Sequence, residues 1–173
     1  MSTRELVLNR FAWVDGHADI WRLFSDAEVF HAVVETLAEP FRSATKVAGV
    51  EARGFILGAA VAAELGVGFV AIRKEGGLFP GPKVTHRTEP DYRGNQSLLR
   101  LQREAVSPND RVLLVDDWAE LGSQALGAKS LIDECGAAFL GLAIIVDQLE
   151  DETRRRIGHV HALVTANELG PSA

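Results

Sequence analysis

The branched aliphatic run Val112-Leu113-Leu114-Val115 leads directly into Asp116-Asp117, then into Trp118-Ala119-Glu120-Leu121-Gly122-Ser123-Gln124. An apolar run without polar alternation belongs to a strand covered on both faces, the setting of a parallel sheet between helical layers. No other segment restricts the chain as much. In open sheets of this kind ligands bind beyond the carboxyl ends of the strands. The two acids that end the run therefore stand where chemistry is expected.

The remaining pattern supplies the alternating partners. Asp26 to Pro40 predicts an amphipathic helix, capped by Asp26, with Val29, Phe30, Val33, Val34 and Leu37 at helical spacing. Lys46 to Val50 predicts a strand, Gly54 to Leu65 a helix ended by Gly66 and Gly68, and Gly68 to Ile72 a buried strand followed by Arg73-Lys74. Glu75 to Asn95, with Gly76, Gly77, Gly81 and Gly94 among Pro80, Pro82 and Pro90, reads as a long loop or irregular hairpin. Ser97 to Gln102 predicts a strand, Ser107 to Asp110 a turn, and Arg111 to Val115 the strand that ends at the two acids. Ser123 to Glu134 predicts a helix stopped by Gly136, Phe139 to Val146 a buried strand, and His159 to Val164 a last short one. Strands alternating with helices give an α/β fold with a mostly parallel central sheet flanked by helices. No repeat or linker divides the 173 residues, so one domain is expected.

Composition narrows the partners. The net charge of −6 argues against a nucleic-acid-binding face, although a few local Arg and Lys residues suffice for a phosphorylated ligand. Cys135 stands alone, which leaves no internal disulfide and no Cys-based zinc site. Residues Met1 to Arg10 carry charges throughout, and no apolar run of about 18 residues occurs. A cytoplasmic protein without a membrane or nucleic-acid partner is expected.

Three segments can carry chemistry. After Asp116 and Asp117 the turn at Gly122 opens a helix, so backbone N–H groups can face a phosphate while the carboxylates suit ribose hydroxyls or Mg²⁺. Glu51-Ala52-Arg53 follows a short strand, and the Arg53 guanidinium can grip a diphosphate in a fork or pair with Glu51. Arg73 and Lys74 end another strand before the long Gly/Pro segment, which suits a phosphate site under a lid. His86, His159 and His161 have no spacing partner that suggests a metal; His159 and His161 would share one strand face as structural or surface residues.

In this order the three segments resemble the type I phosphoribosyltransferases, and within them the adenine phosphoribosyltransferase branch. Gly49 to Leu57, Glu64 to Gly68, Ile72 through Pro80-Gly81, and Val112 to Gly122 carry the likeness, which spans roughly Asp15 to Leu149. The resemblance implies the type I phosphoribosyltransferase fold with a small N-terminal hood, contributed by about residues 1–25. It implies a homodimer that takes phosphoribosyl pyrophosphate, Mg²⁺ and a nitrogenous base, a purine of the adenine kind. Asp116 and Asp117 would then hold the ribose hydroxyls and the metal. Glu120, Leu121, Gly122, Ser123 and Gln124 would form the 5′-phosphate loop, and Glu51, Ala52 and Arg53 the pyrophosphate loop, which in the family often contains a cis peptide. Arg73 and Lys74 would contact pyrophosphate, Asp91 and Tyr92 would match the flexible catalytic loop, and His17, Asp19 and Trp118 would border the base. The phosphate loop departs from the family's Ala-Thr-Gly-Gly-Thr in every residue but Gly122. That departure supports an alternative, a non-catalytic sensor of phosphoribosyl pyrophosphate or a nucleotide on the same fold.

Overall fold

The structure is a computed structural model, and it describes residues 1–90 and 94–171. Ser2 and Glu5 form a reciprocal capping box that starts α1 (Thr3–Arg10). The hairpin β1 (Trp13–Val14) and β2 (His17–Ala18) follows, then α2 (Trp21–Ser25) and α3 (Ala27–Ala38). Asp26 caps α3 as predicted, its carboxylate accepting from the Val29 N–H at 3.3 Å, and a 3₁₀ turn over Glu39–Phe41 takes in Pro40. The body continues through β3 (Lys46–Val50), α4 (Arg53–Leu65), β4 (Gly68–Lys74), β5 (Lys83–Arg87), β6 (Leu98–Gln102) and β7 (Arg111–Ala119). It ends with α5 (Ser123–Glu134), β8 (Ala138–Asp147), α6 (Asp151–Ile157) and β9 (Val160–Thr165).

The seven-stranded sheet has the order β5-β6-β4-β3-β7-β8-β9. Neighbours from β4 to β9 pair in parallel, whereas β6 runs antiparallel to β4 and β5 antiparallel to β6. Both faces are covered, as the unbroken apolar runs require. Leu113 and Val115 face a cluster with α3 and α4, while Val112 and Leu114 face one with α5. The backbone of α4 lies close on β3 because Gly49 has no side chain; a Cβ there would run into the Gly54 carbonyl.

Some boundaries differ from expectation. The Gly/Pro segment contains β5, an alternating run that completes a hairpin with β6. The β7 strand extends through both acids to Ala119, because β8 continues beside it with Trp118 opposite Val146 and Ala119 opposite Asp147. Helices α1 and α6 form without an apolar stripe to announce them. His159 and His161 lie on the same side as Phe41, with ring centroids 4.9 and 6.4 Å away, and His161 Nε2 sits 3.2 Å from the Thr36 carbonyl.

The two termini are tied together. Arg4 Nε donates to Glu168 Oε1 at 2.7 Å, and Glu168 also accepts from the Thr165 hydroxyl and N–H, both at 2.6 Å. The Thr165 hydroxyl, then its N–H, then Arg4 hold the Glu168 carboxyl down to about 2. A depressed acid contributes stability above its ordinary value of 4.5 and loses it as pH falls toward about 2. Glu168→Gln should therefore lower the unfolding free energy measured with urea at neutral pH, by about 1 kcal/mol or less for so exposed a cluster. The gap from the parent protein should close as the pH is taken below 4.5. A gap independent of pH would contradict this.

Candidate active site

The carboxyl ends of β3, β4, β7 and β8 and the β1–β2 hairpin enclose one cleft of about 780 Å³. That size is usual for a small-molecule site of about 300–1,000 Å³. It has three chemically distinct ends.

At the first end, β7 passes into α5 through Gly122, whose φ of +73° is left-handed. No side chain caps α5. The N–H groups of its opening turn, at Ser123, Gln124 and Ala125, border the cleft with the positive end of the helix dipole. The turn has no room for a larger residue: a Cβ on Gly122 would stand 2.6 Å from Thr153 Cγ2 and 2.8 Å from Leu149 Cδ2. Glu120 and Leu121 border the same space but leave it open.

Beside this turn, Asp116 and Asp117 both line the cleft. Asp117 is 4% exposed, and its Oδ2 lies 3.1 Å from Arg53 Nε. That ion pair falls short of hydrogen-bond geometry, so the buried oxygen keeps an unused acceptor. The Asp117 N–H donates to Asp116 Oδ1 at 2.9 Å. Burial, then the charge and hydrogen bond of Asp117, push the Asp116 carboxyl well above the ordinary carboxylate range, against the pull of Arg53. The pair thus resists carrying two full charges.

Opposite lie Glu51, Ala52, Arg53 and Lys74, with a cis bond between Glu51 and Ala52. Glu51 does not spoil this end for an anion. Its oxygens take the Arg73 Nε–H at 3.1 Å and the Lys74 N–H at 2.5 Å. Arg73 also donates to the Leu78 carbonyl at 2.7 Å, which braces the turn after β4. The Lys74 ammonium has no ion-pair partner among the described residues. The third end is aromatic and amphipathic, built by Trp13, His17, Trp118 and Gln148. The indoles of Trp13 and Trp118 are 6.1 Å apart.

Comparison with known proteins agrees with this layout. The family model for the phosphoribosyl transferase domain matches residues 24–165. The chain belongs to the phosphoribosyltransferase family. An adenine phosphoribosyltransferase of a Nocardioides species is 41% identical over 135 residues, covering 75% of this chain and 71% of the relative. The crystal structure of the adenine phosphoribosyltransferase of Rhodothermus marinus is 29% identical with a TM-score of 0.83, over 94% of this chain and 98% of that one. That of Giardia lamblia, complexed with 9-deazaadenine, is 25% identical with a TM-score of 0.85, over 95% and 98%. The protein is a phosphoribosyltransferase of the type I fold.

Most of the predicted site residues of this phosphoribosyltransferase meet in the cleft: Glu51, Ala52, Arg53, Lys74, Asp116, Asp117, Glu120 to Gln124, His17 and Trp118. Two do not line it. Asp19 accepts from Arg22 Nε at 3.1 Å at the start of α2, and Arg73 is spent on Glu51 and Leu78. Asp91 and Tyr92 lie outside the described residues. Sequence reasoning passed over Trp13, Gly16, Ala18 and Gln148. Gln148 had a usable signal, since it follows the carboxyl end of a buried strand, the position that flagged the other loops.

Proposed function

We propose that this chain transfers the 5-phosphoribosyl group of phosphoribosyl pyrophosphate to a purine, adenine or a close analogue, and releases pyrophosphate. The observation that carries this reading is the uncapped, glycine-locked start of α5 beside Asp116 and Asp117, facing Arg53 and Lys74 across open space. The 5′-phosphate would take the N–H groups of Ser123, Gln124 and Ala125, the ribose hydroxyls Asp116 and Asp117, and the diphosphate Arg53 and Lys74. The bond from the anomeric carbon to pyrophosphate breaks with its electrons leaving on pyrophosphate. A nitrogen lone pair of the base forms the new bond, and the base's N–H proton passes to the released pyrophosphate or to water. The chain's own part is positioning and charge stabilisation. Arg73 would act at one remove, by holding Glu51.

The described residues include no group of three or more His, Cys, Asp or Glu that could hold a metal ion. Asp116 and Asp117, with the unused Asp117 oxygen, fit a cation whose other ligands are substrate oxygens and water, as Mg²⁺ prefers. When bound it would offset charge on the departing diphosphate.

We also infer a homodimer, in keeping with exposed Ile56 and Leu78, 43% and 88% accessible, and a place in the cytoplasm. Sedimentation and cell fractionation test these two points; no described helix is long and apolar enough to cross a membrane. Glu120 at the phosphate turn favours a second reading, a sensor that binds phosphoribosyl pyrophosphate without turnover. Pyrophosphate release measured with Mg²⁺ over a panel of purines decides between them. Base-dependent release is expected. Tight binding without release for any base would leave the sensor, and no binding at all would overturn both.

A further inference from the structure

Gln148 stands just past β8, at the aromatic end of the cleft. Its Oε1 accepts the indole N–H of Trp118 at 2.9 Å. An indole nitrogen only donates, so the amide atom that faces it has to be the oxygen. The NH₂ group is thereby turned away from Trp118, and it has no protein partner among the described residues. Trp118 is itself packed against Trp13 and Phe11, with centroids 6.1 and 6.4 Å away, so the donor of this hydrogen bond cannot swing freely. The other cleft polar groups are grouped near the sugar and phosphate ends, leaving His17 and Gln148 at the end that remains for a base.

We propose that Gln148, with its amide locked by Trp118, is a specificity-determining residue that presents N–H donors to the base. The inference rests on the transferase reading above. It selects a base with an acceptor, an unprotonated ring nitrogen or a carbonyl oxygen, on the edge turned to β8. It disfavours a base that offers only an amino group there. Trp118 is the positioning residue: it decides which end of the amide the substrate meets.

The test is binding of ribose 5-phosphate, AMP and IMP to the full chain, by calorimetry and by indole fluorescence. Gln148→Glu keeps the acceptor for Trp118 but replaces the donors by a second acceptor; Gln148→Leu removes both. Each variant should bind ribose 5-phosphate as the parent does, since that ligand has no base. Each should weaken the better-bound nucleotide about 5- to 30-fold. Gln148→Glu should also shift the AMP-to-IMP affinity ratio, because the two bases carry donor and acceptor in opposite order along one edge. Trp118→Phe, which keeps an aromatic face and frees the amide to rotate, should bring that ratio closer to one. Unchanged nucleotide affinities in both Gln148 variants, with ribose 5-phosphate still bound, would overturn this inference alone. Failure of the parent chain to bind ribose 5-phosphate would overturn the transferase reading and this inference with it.

Discussion

Gly122→Ala is expected to cost this protein both the phosphate grip proposed for the β7–α5 turn and a large part of its stability. The left-handed φ of +73° penalises any Cβ by about 1–2 kcal/mol. The new methyl group would also press on Thr153 and Leu149 at 2.6 and 2.8 Å, an overpacking usually worth about 1–3 kcal/mol. For a chain of this size each kcal/mol moves the melting temperature about 2–4 °C, so a drop of roughly 5–15 °C should appear in calorimetry. Relief by shifting the β7–α5 turn would move the N–H groups of residues 123–125, and a misplacement of about 1 Å can lower kcat/KM about 100-fold. Adding Thr153→Ala should restore part of the melting temperature and little of the affinity for phosphoribosyl pyrophosphate. A variant that melts and turns over like the parent would show that the turn tolerates a side chain and does not grip the phosphate.

Asparagine at the two adjacent aspartates should change stability in opposite directions. Asp117→Asn leaves Arg53 without its 3.1 Å charge partner and removes a charged acceptor from the proposed sugar site. Hydrogen bonds to charged groups are worth about 1.5–3 kcal/mol each, so kcat/KM should fall about 10- to 150-fold, with some loss of stability. Asp116→Asn should also impair turnover yet stabilise the unliganded protein at neutral and alkaline pH. Its carboxyl is pushed above the ordinary value of 3.8, so the folded chain holds that proton longer than the unfolded one. Stability therefore falls as pH rises from 3.8 through the raised value, after which the full cost remains. The asparagine variant lacks that slope. Its advantage in melting temperature should open as pH rises and then level off; equal pH profiles for the two proteins would refute the assignment. The expected gap would show a site strained for function rather than optimised for stability.

The parts of this molecule governed by local pattern could be read directly. The apolar runs of β3, β7 and β8 and the small-residue helix α4 follow from periodicity and length, and the order of β and α units follows from them. Helix α1 has no apolar stripe, but Ser2 and Glu5 are a capping box written in the sequence. Likewise α6 opens on Asp151-Glu152 and closes on Arg154-Arg155-Arg156, the charge order a helix dipole favours. Both signals stand in the sequence without amphipathic spacing beside them. Tertiary pairing was not readable. The extension of β7 through its acids depends on β8 lying alongside, and local propensity would have ended the strand at Val115. Arg53 could be matched with Glu51 next to it or with a diphosphate; that it meets Asp117 is a consequence of how close α4 packs to β7. Glu51 finds Arg73 for the same reason, across the β3–β4 pair. The site's anionic and cationic ends were legible as residue types, and their internal neutralisation was not.

The cleft divides its labour among separate pieces of chain. On the proposed assignment the β7–α5 turn anchors the sugar phosphate, whereas the wall at the opposite end comes from the β1–β2 hairpin and the residue after β8. If those roles hold, a lineage, or an engineer, could recut the nucleobase preference by exchanging a short hairpin and one glutamine, while the machinery that seizes the common donor is left as it is.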